Sequence, residues 1–266
     1  MSVGRQEDRM TTARRWRFTA LEFRVLWEST GRDVLPYPLR HRSTEVFQED
    51  SDRLRRAAAQ VVVPQLDEDL VRAVEVLLAP EARVEVAGFR GPRNERKIRA
   101  HGGVHFQHGA LAMQEPGPEH EHGGDVDLLF LAADDLAPAV VDVLPESRPG
   151  QGKPMRVPIE ELEKPPPVVR DAWRPTVREE FDKFFRRPTT ATVHVGVYPL
   201  GSVDNRHTKG RKDFQITDFE NDGRYVSFGS RTAIVKPTDR QRVTATLREM
   251  ISRTVEEVRN GDHFVR

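Results

Sequence analysis

The chain has 266 residues and no cysteine, and its 42 basic residues are balanced by 42 acidic ones. Without cysteine it forms no disulfide and offers neither a thiol nucleophile nor a zinc–thiolate site. A net charge of zero argues against nucleic acid as the main partner, because phosphate binding needs a basic face. No apolar run is long enough to cross a bilayer, so we expect a cytoplasmic protein that does not insert into a membrane.

Residues 1–17 are polar, contain several arginines and show no periodicity, so they predict a disordered tail. Ordered structure is predicted to begin at Phe18. Thr19 and Glu22 have the spacing of a capping box, which marks the start of a helix. We expect one folded domain over residues 18–259 and a C-terminal tail over residues 260–266.

The same order of elements occurs twice along the chain, over residues 67–144 and again over residues 176–258. In each segment a helix ends near a proline, Pro80 or Pro188, and is followed by four strands and a second helix. A repeated order of elements predicts two related halves, which we place at residues 18–144 and 168–259. We expect the two halves to superpose through a rotation near two-fold, with their strands in one continuous sheet.

The segment between the halves, residues 145–167, holds seven prolines and few apolar residues, and we interpret it as a linker. The second half then opens at Thr176 and Glu179, which repeat the capping-box spacing. It closes with a helix from about Asp239, whose apolar residues recur at helical spacing.

Histidine offers the best candidate for a chemical site. Five histidines fall in a short stretch, and His101 and His105 would share one face of a predicted strand. This leaves open a metal-dependent enzyme built on His101 and His105. Solvated loop histidines are the simpler interpretation, because no HExxH or facial-triad spacing is present. The sequence also has no P-loop and no G-x-S-x-G nucleophile elbow, so we expect no catalytic residues, no cofactor and no metal.

Four short motifs, taken in order, carry a resemblance to a known family. They are Thr19–Glu28, Pro36–Leu39, Arg187–Thr190 opening a strand, and Gly223–Tyr225 followed by the helix entry at Pro237 and Asp239. Together they resemble the EspG family of actinobacterial type VII (ESX) secretion-associated proteins, from Phe18 to about Val258. The first and third motifs give most of the specificity. The basic N-terminal extension and the histidine-rich region depart from typical members.

The resemblance implies both a fold and a function. It implies an α+β fold with a central, largely antiparallel sheet, flanking helical bundles and quasi-two-fold symmetry. It also implies a non-enzymatic chaperone that binds the helical tip of the PPE partner in PE/PPE heterodimers, keeps it soluble and aids its delivery to the secretion machinery. We expect the free protein to be a monomer.

The second half contains more large apolar side chains than a half-solvated hairpin needs. Alternation assigns Val226 and Phe228 to one face and Tyr225 to the other. One set is expected to pack on the C-terminal helix, which leaves the other for an incoming helix unless helices of the same chain cover both faces. The predicted partner-binding residues are Phe214, Ile216, Tyr225, Val226 and Phe228.

Overall fold

Ten strands form a single sheet in the computed structural model, which describes residues 13–43, 45–93, 95–164, 175–202 and 210–261. The strands are β1 (Arg14–Phe18), β2 (Ala82–Arg90), β3 (Arg96–His105), β4 (His108–Pro116), β5 (Gly123–Ala132), β6 (Met155–Pro158), β7 (Thr189–Pro199), β8 (Lys212–Phe219), β9 (Gly223–Phe228) and β10 (Thr232–Pro237). The helices are α1 (Ala20–Glu28), α2 (Gln48–Val62), α3 (Glu68–Leu78), α4 (Leu136–Asp142), α5 (Ile159–Glu163), α6 (Val177–Phe185) and α7 (Arg240–Arg259).

The strand order is β1-β5-β4-β3-β2-β7-β8-β9-β10-β6, and every neighbouring pair is antiparallel. Outward from the central β2–β7 pair, one half runs β2 to β5 and then β1, and the other runs β7 to β10 and then β6. This confirms the prediction of one continuous antiparallel sheet. That the halves are related by a near two-fold rotation stays a prediction.

Residues 14–17 were predicted to lie in a disordered tail. They belong instead to edge strand β1. Trp16 and Phe18 alternate inward and are buried, while the arginines between them face acidic side chains. Arg15 lies 2.8 Å from Asp127, and Arg17 lies 2.8 Å from Glu115. Taken alone, the basic composition of this segment resembles that of a disordered tail. The acidic partners that fix it in the sheet lie about a hundred residues away in the chain. The part of that prediction that concerns residues 1–12 lies outside the described residues.

The segment predicted to be a linker also contains regular structure, so that interpretation needs correction. Met155–Pro158 forms strand β6, which pairs with β10, and helix α5 follows directly. β1 and β6 each precede the helices of their own half. β1 pairs with β5 and β6 pairs with β10, so each lies beside the last strand of its half. The repeat therefore extends further toward the N-terminus in both halves than the sequence indicated. Residues 165–167, with the triple proline, lie outside the described residues.

Two helical layers cover the sheet. On one side, which we call the bundle face, α1–α3 pack over β3, β4 and β5, and α6 packs over β8, β9 and β10. On the other side, α4 and α7 pack against each other and over the central strands. Both predicted capping boxes are present, because Thr19 and Thr176 each accept from the amide of the glutamate three residues on, and that glutamate accepts from their amide.

Gly103 shows how closely the bundle helices approach the sheet. A Cβ atom at this position would lie 2.9 Å from Cβ of Pro80 and 3.0 Å from the carbonyl oxygen of Val76 at the end of α3. Only glycine lets the helix and the strand come this close without one of them moving.

A buried ion pair ties the segment between the halves to the second half. The Arg224 guanidinium donates two hydrogen bonds of 2.7 Å to Asp218, and both side chains are almost fully buried, at 3% and 2% exposure. Arg224 also donates to the carbonyl oxygen of Pro145, and its backbone pairs with Arg148 and Gly150. One residue thus neutralises a buried carboxylate and anchors the chain that leads to β6.

We predict that Arg224→Ala lowers the free energy of unfolding by about 3–5 kcal/mol, because it leaves Asp218 charged and buried without a partner. Chemical denaturation measures this. The matched control is Arg231→Ala, at an exposed turn of the same hairpin, which should change stability by less than about 0.5 kcal/mol. Equal effects of the two substitutions would contradict the role of the pair.

Candidate partner-binding surface

The bundle face is open between α6 and the strands β7 and β8, where it forms a groove of about 680 Å³ that we call the α6 groove. Its wall carries the half-buried aromatic side chains of Phe181 and Phe185 on α6. Its floor consists of bundle-face side chains of the strands. The floor residues are His194, Asp213, Gln215 and Ser227, with Arg211 at the rim.

Asp213 organises the polar floor. Its carboxylate accepts a 2.8 Å hydrogen bond from Nε2 of His194 on the neighbouring strand, and Nε of Arg211 lies 3.3 Å from its other oxygen. All three side chains remain partly exposed. The groove therefore combines an aromatic wall with hydrogen-bonding groups that are accessible to a partner.

A second groove, which we call the α7 groove, lies on the opposite face of the same strands. It has a volume of about 370 Å³ and runs between α7 and β8–β10. Its floor is apolar and comes from Phe214, Val226 and Phe228, and α7 contributes Val243 and Met250. Phe228, 37% exposed at the end of β9, borders both grooves.

The five predicted binding residues do not share one exposed surface. Phe214, Ile216 and Val226 lie in the core with Leu247 and other residues of α7. On the other face, α6 covers Tyr225. Four of the five predicted residues are thus buried and only Phe228 is substantially exposed, and their assignment as partner-binding residues stays a prediction.

Tyr225 is held by an aromatic cluster and by hydrogen bonds. Its ring packs edge-on against Phe184 and Phe219, with centroids 5.0 and 5.6 Å away. Its hydroxyl donates to Asp222 at 2.8 Å and accepts from the amide of Gly152 at 2.6 Å. Burial raises the pKa of Tyr225, and the Asp222 carboxylate that its hydroxyl donates to raises it further. Tyr225 thus fastens the segment before β6 to the sheet.

The histidines that suggested a metal site do not converge. His101 is fully buried, and its Nδ1 lies 2.7 Å from the carbonyl oxygen of Tyr37. His105 packs against Phe106, and His108 stacks on Phe130. Within the described ranges, no group of three or more histidine, aspartate or glutamate side chains is placed to hold a metal ion.

The floor residues of the α6 groove are not among the binding residues predicted from the sequence. Asp213 and Gln215 alternate with the apolar Phe214 and Ile216, so the polar face of β8 was visible in the sequence. Which side of the sheet a helix would leave open was not visible, because that depends on where α6 packs.

Comparison with known proteins agrees with this antiparallel α+β architecture. The sequence profile of the EspG family matches residues 19–249, so the chain belongs to the EspG family. No curated protein matches the chain in sequence. Among solved structures, the chain is similar to the Mycobacterium tuberculosis type VII secretion system chaperone EspG5, determined in complex with the PE25–PPE41 dimer. The two chains are 16% identical with a TM-score of 0.55, over 92% of this chain and 96% of EspG5, which shows a shared fold.

No helix in the described part of the chain is both long enough and apolar enough to span a membrane.

We predict that His101 makes stability depend on pH. Burial lowers the pKa of His101 from 6.5 to about 4, so the neutral ring donates from Nδ1 to Tyr37. The unfolded chain takes up a proton at higher pH than the folded chain does. The contribution is therefore fully present above about pH 6.5 and is lost as the pH falls toward 4, by an amount on the order of 3 kcal/mol. His101→Leu should be less sensitive to pH over this range in thermal unfolding, and parallel curves would contradict the assignment.

We predict that Tyr225→Asp destabilises the fold by more than about 3 kcal/mol, because it places a carboxylate in the aromatic cluster. Tyr225→Phe should cost about 1–2 kcal/mol through its lost hydrogen bonds. The control is Gln215→Asp on the same face of the neighbouring strand, where the exposed side chain should tolerate the change. If Tyr225→Asp is as stable as the wild type in chemical denaturation, Tyr225 is not a core residue.

Proposed function

We propose that this member of the EspG family is a cytoplasmic, non-catalytic chaperone of type VII secretion. It binds the helical tip of a PE/PPE-like secretion substrate, keeps that substrate soluble and delivers it to the secretion machinery. The observation that carries the proposal is the α6 groove, an open aromatic and polar groove in a protein of this family. The EspG5 chaperone, which has the same fold, was solved with a PE–PPE dimer bound.

The chemistry of the α6 groove suits the tip of an amphipathic helical pair. Phe181 and Phe185 offer apolar area for side chains that would otherwise promote aggregation in water. The His194–Asp213 pair and Gln215 offer donors and acceptors for the unpaired backbone groups at a helix end. Of the predicted binding residues, only Phe228 is exposed, and it borders the groove from the opposite face of the sheet, so we assign the substrate contacts to the wall and floor residues of the α6 groove.

The metal-dependent enzyme based on His101 and His105 is the weaker alternative. His101 is buried and its Nδ1 already binds a backbone carbonyl, which leaves no room for a substrate at that ring. We therefore favour binding over catalysis.

We predict that Gln215→Trp abolishes co-purification with a co-expressed PE/PPE-like pair, because an indole on the exposed floor fills the α6 groove. Size-exclusion chromatography of the co-expressed proteins measures the complex. Gln107→Trp is the matched control, since Gln107 is equally exposed but lies at the β3–β4 turn of the other half. The proposal is contradicted if wild-type protein forms no complex, or if both variants retain it.

A further inference from the structure

The α7 groove is a second surface that the proposed function leaves unexplained. α7 lies mainly over β7 and β2, and no other helix in the described ranges packs on the same face of β9 and β10. On this face the strands keep an apolar groove floor, in which the Phe228 ring is partly exposed and Val226 is largely buried beneath it. On the opposite face, α6 covers the corresponding part of these strands.

The groove has the dimensions of a helix-binding site. Its α7 wall is formed by residues that recur at i, i+4, i+7 and i+11, which are Arg242, Thr246, Glu249 and Arg253. These positions lie on one side of the helix and extend over about 17 Å, or three turns. A second helix laid beside α7 would complete the helical layer over β9 and β10.

The rim of the α7 groove is basic. Lys236 lies over the Phe228 ring, 5.3 Å from its centroid, and Arg242 and Arg253 stand along α7. Both arginines have a solvent-accessible acidic neighbour, because Arg253 lies 4.0 Å from Glu249 and Arg242 lies 3.4 Å from Asp239, so the rim keeps the positive charge of Lys236 in excess. The remaining charged residues of the lining are turned to other partners, because Lys212 binds Glu257 and Asp213 accepts from His194 on the bundle face. An apolar floor with a basic rim is complementary to a helix that carries apolar residues flanked by carboxylates.

We propose that the α7 groove binds an acidic amphipathic helix of a second protein. The apolar face of this helix packs on Val226, Phe228 and Met250, and its carboxylates pair with Lys236, Arg242 and Arg253. The α6 and α7 grooves lie on opposite faces of the same strands, so both can be occupied at once. The chain would then hold a substrate on one face while the other face contacts a different protein.

The test uses two fluorescein-labelled synthetic peptides of about 18 residues, long enough to form a helix on binding. One carries leucines on one face with glutamates on both flanks, and the other has lysines in place of the glutamates. Fluorescence anisotropy with the full chain should show binding of the acidic peptide and an affinity about tenfold or more weaker for the basic one. No binding of the acidic peptide, or equal affinity for both peptides, overturns the proposal.

Matched variants locate the bound peptide. Arg253→Glu should weaken the acidic peptide about tenfold, whereas Arg248→Glu, the same change on the opposite side of α7, should leave its affinity within about twofold. Thr246→Trp, which fills the α7 groove from an exposed position, should also abolish binding. If Arg253→Glu and Arg248→Glu lose equal affinity for the acidic peptide, the effect comes from net charge alone and the proposed binding site is wrong.

The result of the peptide-binding test can be distinguished from the result of the substrate-binding test. Gln215→Trp fills the α6 groove and should bind the acidic peptide like the wild type, so failure of substrate binding leaves this test intact. Loss of peptide binding in Gln215→Trp would place the peptide in the α6 groove and overturn the proposal.

Discussion

The central β2–β7 pairing is the interaction on which the rest of this structure depends. It aligns nine residue pairs, from Ala82 with Pro199 to Arg90 with Ala191, and joins the halves into one sheet. On the α4/α7 side it contributes five valines to the core, which are Val84, Val86, Val193, Val195 and Val197. On the bundle face it is polar, because Arg83 and Glu85 form a buried ion pair of 2.8 Å there. The two bundles pack on the strands to either side of this polar centre.

Long-range contacts then fix α7, which forms one wall of the second groove. Near its C-terminal end, Arg259 donates two hydrogen bonds, of 2.7 and 2.9 Å, to the Glu81 carboxylate at the start of β2. These hydrogen bonds from Arg259 hold the pKa of Glu81 below its usual range, and the amide of Phe106 donates to the same carboxylate. The last helix of the second half is thereby anchored to the first half. A groove wall anchored in this way presents a preformed surface to a partner, which lowers the entropic cost of binding.

The features that could be predicted from the sequence are those that depend on residues close together in the chain. The capping boxes at Thr19 and Thr176 depend on residues three apart, and both were confirmed. Strand β1 could not be predicted, because five residues with only Trp16 and Phe18 as apolar signals resemble a polar tail until Asp127 is known to lie opposite. The α6 groove could not be predicted either, since its floor is defined by where a helix stops covering the sheet.

Tyr225 was predicted to contact a partner but is buried, which shows what a cluster of apolar residues in a sequence can indicate. A cluster of large apolar residues in one hairpin predicts burial, but the sequence cannot say whether the cover is the chain's own helix or a partner. Here α6 covers Tyr225, and the surface left open beside it has a polar floor built on Asp213 and His194. Such a floor stays hydrated when the groove is empty, so the free protein exposes little continuous apolar area. An amphipathic helix can replace that water with hydrogen bonds at its end while it buries its apolar side against Phe181 and Phe185. A polar floor with an aromatic wall therefore favours binding that is specific and reversible, as the proposed delivery of a secretion substrate requires.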